Sequence, residues 1–184
     1  MEVIDIKNIK QISKKDLKGK IIVFHTDTVY GVGALYQDEE AENKIYEMKQ
    51  RSISKLLPVL CASVEQVKEL TSFNEKAEEI SKYWPGALTM ILNKKNDQGT
   101  LAVRIPDSEI ALAVLNHFGP LSTTSVNISN EKELNTVKEI SERFSDWIDY
   151  LVINESVVSF TPSPIVDLTS DELKIIRNGS IKLT

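Results

Sequence analysis

The chain of 184 residues predicts an α/β fold built on a mixed β-sheet. Short apolar runs of strand length alternate with segments that carry helix-capping signals, the pattern of a sheet with flanking helices. Towards the C-terminus, Tyr150–Ile153, Val157–Phe160, Ile165–Leu168 and Leu173–Ile176 are four strand-like runs with no helical pattern between them, so the sheet cannot be all parallel. No internal repeat, low-complexity linker or shift in composition divides the chain, which predicts one domain over residues 1–184.

Taken in order, Val3–Ile6 reads as a first strand, and Ile9, Ile12 and Leu17 as the stripe of a short helix. Ile21–Phe24 is a buried strand entered from the Gly19-Lys20 turn. Asp38-Glu39-Glu40 opens a helix whose inner face is Ala41, Ile45 and Met48 and which runs to Lys49-Gln50-Arg51. Leu57–Cys61 returns to strand. Ser63-Val64-Glu65-Gln66 is a capping box, and Asn74 caps a helix over Glu75–Tyr83 that Pro85-Gly86 stops. Leu88–Leu92 and Leu101–Arg104 pair across the polar loop Asn93–Thr100. Ser108 caps Glu109–Phe118, which ends at Gly119-Pro120. Leu121–Ser125 is a strand running into a hydroxyl-rich turn, and Thr136-Val137-Lys138-Glu139 is a second capping box opening the last long helix.

Composition narrows the function. The apolar runs are too short to span a bilayer and Met1–Asp5 lacks the basic-then-apolar order of a secretory signal, so the expected location is the cytoplasm. Cys61, the sole cysteine, sits in an apolar run and reads as packed rather than reactive. A net charge of −5 opposes broad nucleic-acid binding, while leaving room for a local basic cavity. Of the guanidinium groups, Arg51, Arg104 and Arg177 stand at the ends of predicted elements and are candidates for anion recognition; Arg143 reads as a solvated helix-face residue.

Several site types are excluded. In the run His25-Thr26-Asp27-Thr28-Val29-Tyr30-Gly31-Val32-Gly33, the third glycine of a dinucleotide fingerprint would fall at Tyr36, and no P-loop occurs anywhere. Two histidines and one cysteine make no ordinary zinc site. His117, near a helix C-terminus, reads as a partner of the helix dipole. Ser125 has no histidine placed to activate it and reads as a hydrogen-bonding group. What is left is a set of cations and hydroxyls at element ends, namely Thr26, Thr28, Lys49, Arg51, Lys55, Thr100, Arg104, Thr123, Ser125, Ser163 and Arg177. Such a set suits anions, because the cations compensate charge and the hydroxyls fix orientation. Gly31 and Gly33 read as permissions for close approach of backbone to a ligand.

The same residues carry a family resemblance. His25–Gly33 resembles the Pro-Thr-Asp/Glu-Thr-Val-Tyr-Gly-Leu-Gly signature of the YrdC/TsaC family of threonylcarbamoyl-AMP synthases. Lys49-Gln50-Arg51 is similar to its Lys-x-Arg helix end, and Trp84-Pro85-Gly86-Ala87-Leu88-Thr89 to its Trp-Pro-Gly-Pro-Leu-Thr turn. Leu101–Pro106 resembles its Val-Ala-Val-Arg-x-Pro strand, Ser125-Val126-Asn127-Ile128-Ser129 its Ser-Ala-Asn-x-Ser segment, and Ser163–Asp167 and Ile176–Ile181 complete the series. The likeness covers nearly the whole chain, at a length that suggests the single-domain form.

The resemblance implies a YrdC-like twisted mixed sheet around a concave, positively lined cavity. It also implies a reaction in which L-threonine, bicarbonate and ATP, with Mg²⁺ on the triphosphate, give threonylcarbamoyl-AMP and pyrophosphate for tRNA modification by downstream transfer proteins. Thr28, Arg104, Thr123 and Ser163 would contact threonine, with Arg104 on its carboxylate. Lys49, Arg51 and Lys55 would hold phosphates, Lys49 and Arg51 acting as the catalytic cations, and Thr100, Ser125 and Arg177 would complete the adenylate site. No acidic cluster offers a protein cage for the metal. The chain departs from the family pattern at His25, Ser52 and Leu56, which replace prolines, at Leu60 and Ser108, where many members have histidine, and at Val126 and Asn130. Two other readings compete. One is an RNA-binding or ribosome-associated module without turnover, with direct but weak RNA binding; the other is a carbamoyl-adenylate relative, which would carry accessory segments that this chain lacks.

Overall fold

The computed structural model describes residues 1–153, 163–170 and 172–179; the predicted strand Val157–Phe160 lies outside them. β1 (Glu2–Asp5) leads into a 3-10 turn at Ile6–Gln11 and then α1 (Lys14–Leu17). The single helix expected here is two pieces because Ser13 starts a new one. Its hydroxyl accepts from Asp16 N while the Asp16 carboxylate accepts from Ser13 N. Ile9, Ile12 and Leu17 still meet in one core.

β2 (Ile22–His25) is followed after four residues by β3 (Tyr30–Leu35), antiparallel to it, so Gly31 and Gly33 stand within a strand. The reason for the glycines lies in the next strand. A Cβ on Gly31 would meet Thr123 Cγ2 at 2.8 Å, and one on Gly33 would meet Thr123 Oγ1 at 3.0 Å. Both positions therefore admit close strand-to-strand packing, and Gly31 also lines the cavity described below.

α2 (Glu39–Lys49), capped by Asp38, ends at Gln50 in the left-handed region. Beyond it come β4 (Val59–Leu60), α3 (Val64–Leu70) capped by Ser63, and α4 (Glu75–Ile80) capped by Asn74. The helix expected over Glu75–Tyr83 tightens into a 3-10 turn at Ser81–Tyr83. β5 (Thr89–Asn93) and β6 (Thr100–Arg104) pair antiparallel, α5 (Glu109–Phe118) is capped by Ser108, and β7 (Leu121–Ser125) follows. α6 (Val137–Phe144), capped by Thr136, and β8 (Tyr150–Ile153), β9 (Ile165–Asp167) and β10 (Lys174–Arg177) complete the described elements. His117 does more than face the helix dipole: its Nε2 lies 2.7 Å from Ile12 O and ties α5 to the N-terminal segment.

The described strands form one mixed sheet in the order β1-β8-β2-β3-β7-β4-β6-β5-β9-β10, with parallel pairs (β1·β8, β2·β8, β4·β6, β5·β9) among antiparallel ones. Strand alternation then distributes the side chains. Ile22 and Phe24 pack with α5, whereas Val23, Val32 and Ala34 pack with α2 and α6 on the opposite face. In the other half of the sheet, Val59, Met90, Leu92 and Val103 pack with Val67 of α3 and Ala77 and Ile80 of α4. Their alternates, Thr89 and Ile91 on β5, Ala102 and Arg104 on β6 and Ile165 on β9, turn to the other face and line a cavity. Cys61 is fully buried among the apolar residues of this half, and burial pushes its thiol up to about 12, so it is inert at neutral pH.

Candidate functional site

The cavity holds about 390 Å³ and is lined by β3, β4, β5, β6, β7, β9 and β10, by the loop before β3 and by the segment after α2. Three guanidinium groups, from Arg51, Arg104 and Arg177, face it together with the hydroxyls of Thr26, Thr28, Thr89, Thr123, Thr124, Ser125 and Ser163; among the described residues Glu133 is its one acidic lining side chain. Leu56, Pro58, Leu60, Ile91 and Ile176 supply an apolar part of the wall.

Arg104, at the end of β6, is buried and held on three sides. Its Nε donates to Gly86 O at 3.1 Å, Nη1 to Thr28 Oγ1 at 3.1 Å, and Nη2 to Asp27 Oδ1 at 2.5 Å. The side chains of this ion pair are only 8% and 13% exposed. A guanidinium has five N–H groups, so two remain, one on each terminal nitrogen, as donors for an anionic ligand. The Trp84-Pro85-Gly86 turn supplies the first of these contacts. Gly86 N donates to Ile105 O at 2.8 Å, and a Cβ on Gly86 would lie 2.6 Å from Tyr83 O, so only glycine fits where the carbonyl meets Arg104.

Thr28 is buried; its Oγ1 lies 3.1 Å from Thr26 Oγ1, whose own hydroxyl donates to Val29 O. The hydroxyls therefore fix the loop between β2 and β3 and leave Thr28 presented to the cavity. Ser163 Oγ is 3.1 Å from Thr89 Oγ1, and the Ser163 carbonyl accepts from Arg177 Nε at 2.9 Å and Nη2 at 2.6 Å. Burial, and secondarily the Arg104 charge, draws the Arg177 guanidinium below its ordinary pKa. Arg51 follows α2 and donates from Nε to Lys55 O at 3.0 Å and from Nη2 to Leu56 O at 3.3 Å, propping the loop at the cavity mouth.

The structure thus brings Thr28, Arg51, Arg104, Thr123, Ser125, Ser163 and Arg177 to one cavity. Lys49, Lys55 and Thr100 are not part of its lining. Lys49 is 1% exposed, and its ammonium is consumed by Ser125 O at 2.5 Å, Asn127 O at 2.9 Å and Asn127 Oδ1 at 2.8 Å. It ties the end of α2 to the turn after β7 and does not line the cavity where a phosphate contact is expected of it. Burial, then the Arg51 charge, pushes the Lys49 amine down to about 8, against the opposing pull of Glu133. Lys55 is exposed; what reaches inward is its carbonyl. Thr100 shares the face of Ala102 and Arg104 by alternation but begins β6, paired with Asn93 at the outer end.

Sequence reasoning did not assign Asp27, Asn127 or Glu133. Asp27 carried a signal, a carboxylate between two threonines of a strand-end motif. Asn127 has one too, in the Ser-x-Asn spacing that lets its Oδ1 accept from both Ser125 Oγ and Lys49. Glu133, in an irregular segment, has none.

His25 opens the motif from a buried position, its ring edge-to-face with Tyr30 and its Nε2 without a hydrogen-bond partner among the described residues. Desolvation pushes the imidazole down to about 4, against the weaker pull of Asp27. Below pH about 6.5 an unfolded chain binds this proton and the folded chain does not until near pH 4, so stability falls across that window. His25→Phe, which keeps the ring contact, is expected to flatten the loss of urea resistance between pH 6.5 and 4; an unchanged slope would assign the acid limb to other groups.

Residues 16–179 match the Sua5_yciO_yrdC family, described as telomere recombination. Among curated proteins, a putative threonylcarbamoyl-AMP synthase of Methanocaldococcus jannaschii is 32% identical over 184 residues, covering 96% of this chain and 88% of the relative. The threonylcarbamoyl-AMP synthase of Pyrococcus abyssi is 33% identical over 177 residues, and the chain spans 52% of that protein's length. Among solved structures, P. abyssi Sua5 complexed with L-threonine superposes with a TM-score of 0.86 at 30% identity, covering 97% of this chain and 58% of that one.

Proposed function

This chain belongs to the Sua5/YciO/YrdC family, and from that we propose that it is a threonylcarbamoyl-AMP synthase, converting L-threonine, bicarbonate and ATP to threonylcarbamoyl-AMP and pyrophosphate. The observation that carries the reading is the convergence of Arg51, Arg104 and Arg177 with a ring of hydroxyls on one cavity. The reaction joins anions. A carbamate formed from the threonine amine and bicarbonate must put an oxygen on the α-phosphorus of ATP while pyrophosphate leaves, so the protein's work is to hold like charges together and stabilise those that develop.

In this reading the two remaining N–H groups of Arg104 take the threonine carboxylate, and Thr28, Thr123 and Ser163 orient the rest of the amino acid. Arg51 and Arg177 take phosphate oxygens, with Ser125 beside them. Lys49 acts one step back, fixing the Ser125–Asn127 turn on which that subsite rests. Among the described residues no group of three acidic, histidine or cysteine side chains converges to cage a metal. Glu133 alone could add a carboxylate in the cavity. That donor set suits Mg²⁺ carried by phosphate oxygens and water, where it would neutralise the triphosphate.

The adenylate is the activated donor for tRNA modification, and its consumption belongs to separate transfer proteins. No helix among the described residues is long and apolar enough to cross a membrane, which accords with the cytoplasmic location proposed. The competing RNA-binding reading predicts salt-sensitive RNA affinity without turnover, whereas the net charge of −5 opposes it. The deciding measurement is pyrophosphate release. Purified protein with ATP and Mg²⁺ is expected to release it only when threonine and bicarbonate are both present, and silence under those conditions rejects the synthase.

A further inference from the structure

The three cavity guanidiniums differ in how they are neutralised. Arg51 donates to the carbonyls of Lys55 and Leu56, and Arg177 to the carbonyl and, at 3.5 Å, the hydroxyl of Ser163; among the described residues neither meets a carboxylate within 4 Å. Neutral acceptors carry no counter-charge, and the one acidic lining side chain among the described residues, Glu133, pulls on Arg177 without pairing with it. Arg104 alone carries a counter-ion, Asp27, in a buried contact of 2.5 Å. Arg104 and its counter-ion thus offer two unused N–H groups at a net charge near zero, while the other two guanidiniums are without a paired carboxylate.

From this contrast we infer that Asp27 is a specificity-determining residue that sorts the two anions of the reaction, reserving Arg104 for the carboxylate of an amino acid and leaving polyphosphate to Arg51 and Arg177. The inference rests on the synthase reading, in which both anions enter one cavity. The physical ground is that Coulomb energy scales with ligand charge. A pyrophosphate group bears several negative charges and no positive one, so a carboxylate beside the guanidinium repels it several times over. A zwitterionic amino acid brings one negative charge and one positive charge, so the same carboxylate costs it little and can attract its ammonium. Asp27 uses a single N–H of Arg104, and one N–H on each terminal nitrogen stays unused.

The test is binding of inorganic pyrophosphate and of L-threonine by calorimetry to the wild-type protein and to Asp27→Asn, which keeps the hydrogen bond and removes the charge. The expected result is that the ratio of pyrophosphate affinity to threonine affinity rises about tenfold or more in Asp27→Asn. Added to Arg104→Ala, Asp27→Asn is expected to leave pyrophosphate affinity where Arg104→Ala alone puts it, since its effect works through Arg104. A ratio that does not change in Asp27→Asn, or pyrophosphate affinity that still rises when Asp27→Asn is added to Arg104→Ala, overturns the inference. Asp27→Ser, neutral and smaller, serves the same comparison if the asparagine variant is poorly folded. Because the readout is affinity, it stands apart from pyrophosphate release by the wild-type protein. A wild type that binds both anions but makes no pyrophosphate rejects the synthase reading, and the affinity ratio still judges Asp27.

Discussion

Arg104→Ala is expected to weaken apparent threonine affinity by roughly 2–5 kcal/mol, the cost of removing one partner of a desolvated charge pair. The effect should appear as a raised KM for threonine in pyrophosphate release, with the KM for ATP little changed, because Arg51 and Arg177 remain. Two sources contribute. The substrate carboxylate loses its fork, and Asp27, 13% exposed, is left without the guanidinium it pairs with. Arg104→Lys separates them: an ammonium can still answer Asp27 but cannot span Asp27, Thr28 and a carboxylate as a planar group does. Lysine should therefore recover stability better than it recovers threonine affinity. Threonine affinity unchanged in Arg104→Ala would remove Arg104 from the amino-acid subsite.

The second large effect belongs to Lys49. Lys49→Met, similar in length and without charge, takes the ammonium from the carbonyls of Ser125 and Asn127 and leaves Asn127 Oδ1 with the Ser125 hydroxyl alone. The expected cost is roughly 2–5 kcal/mol of stability, read from urea unfolding, with activity lost as the turn after β7 loosens. The pH dependence gives an independent check. The folded Lys49 amine sits near 8, below its ordinary 10.5, so between those values the unfolded chain binds the extra proton and stability rises with pH. That rise should be missing in Lys49→Met. A variant that lost catalysis with wild-type unfolding and an unchanged pH profile would return Lys49 to a direct role on phosphate.

Comparison of Lys49, the last residue of α2, with Arg51 and Lys55 after it shows where reading the sequence reaches its limit. Lys49, Arg51 and Lys55 look equivalent as cations spaced along a helix end and its loop, yet one is buried in a backbone cage, one faces the cavity and one is exposed. Spacing along a helix gives the face of a residue, but which carbonyls come to meet it depends on β7, more than seventy residues away. The strand Tyr30–Leu35 was hidden for a similar reason. Glycines score as turn formers unless the neighbouring strand is known, and here the neighbour is Thr123. Apart from Ser13, the helix starts were legible, since Asp38, Ser63, Asn74, Ser108 and Thr136 act on backbone groups within three residues of themselves.

What the sequence by itself determined is therefore the local and the periodic: capped helices, apolar strands, the mixed character of the sheet, and a set of hydroxyls and guanidiniums at element ends. Those features depend on interactions within a few residues, or on an alternation that one strand displays alone. Only the tertiary structure decided which of the cations are free. Pairing Asp27 with Arg104, enclosing Lys49 between Ser125 and Asn127, and leaving Arg51 and Arg177 against neutral carbonyls are all contacts across the sheet order. The charge a ligand meets is set by such long-range neighbours, because a buried carboxylate a few ångströms away cancels a guanidinium that the sequence shows only as positive.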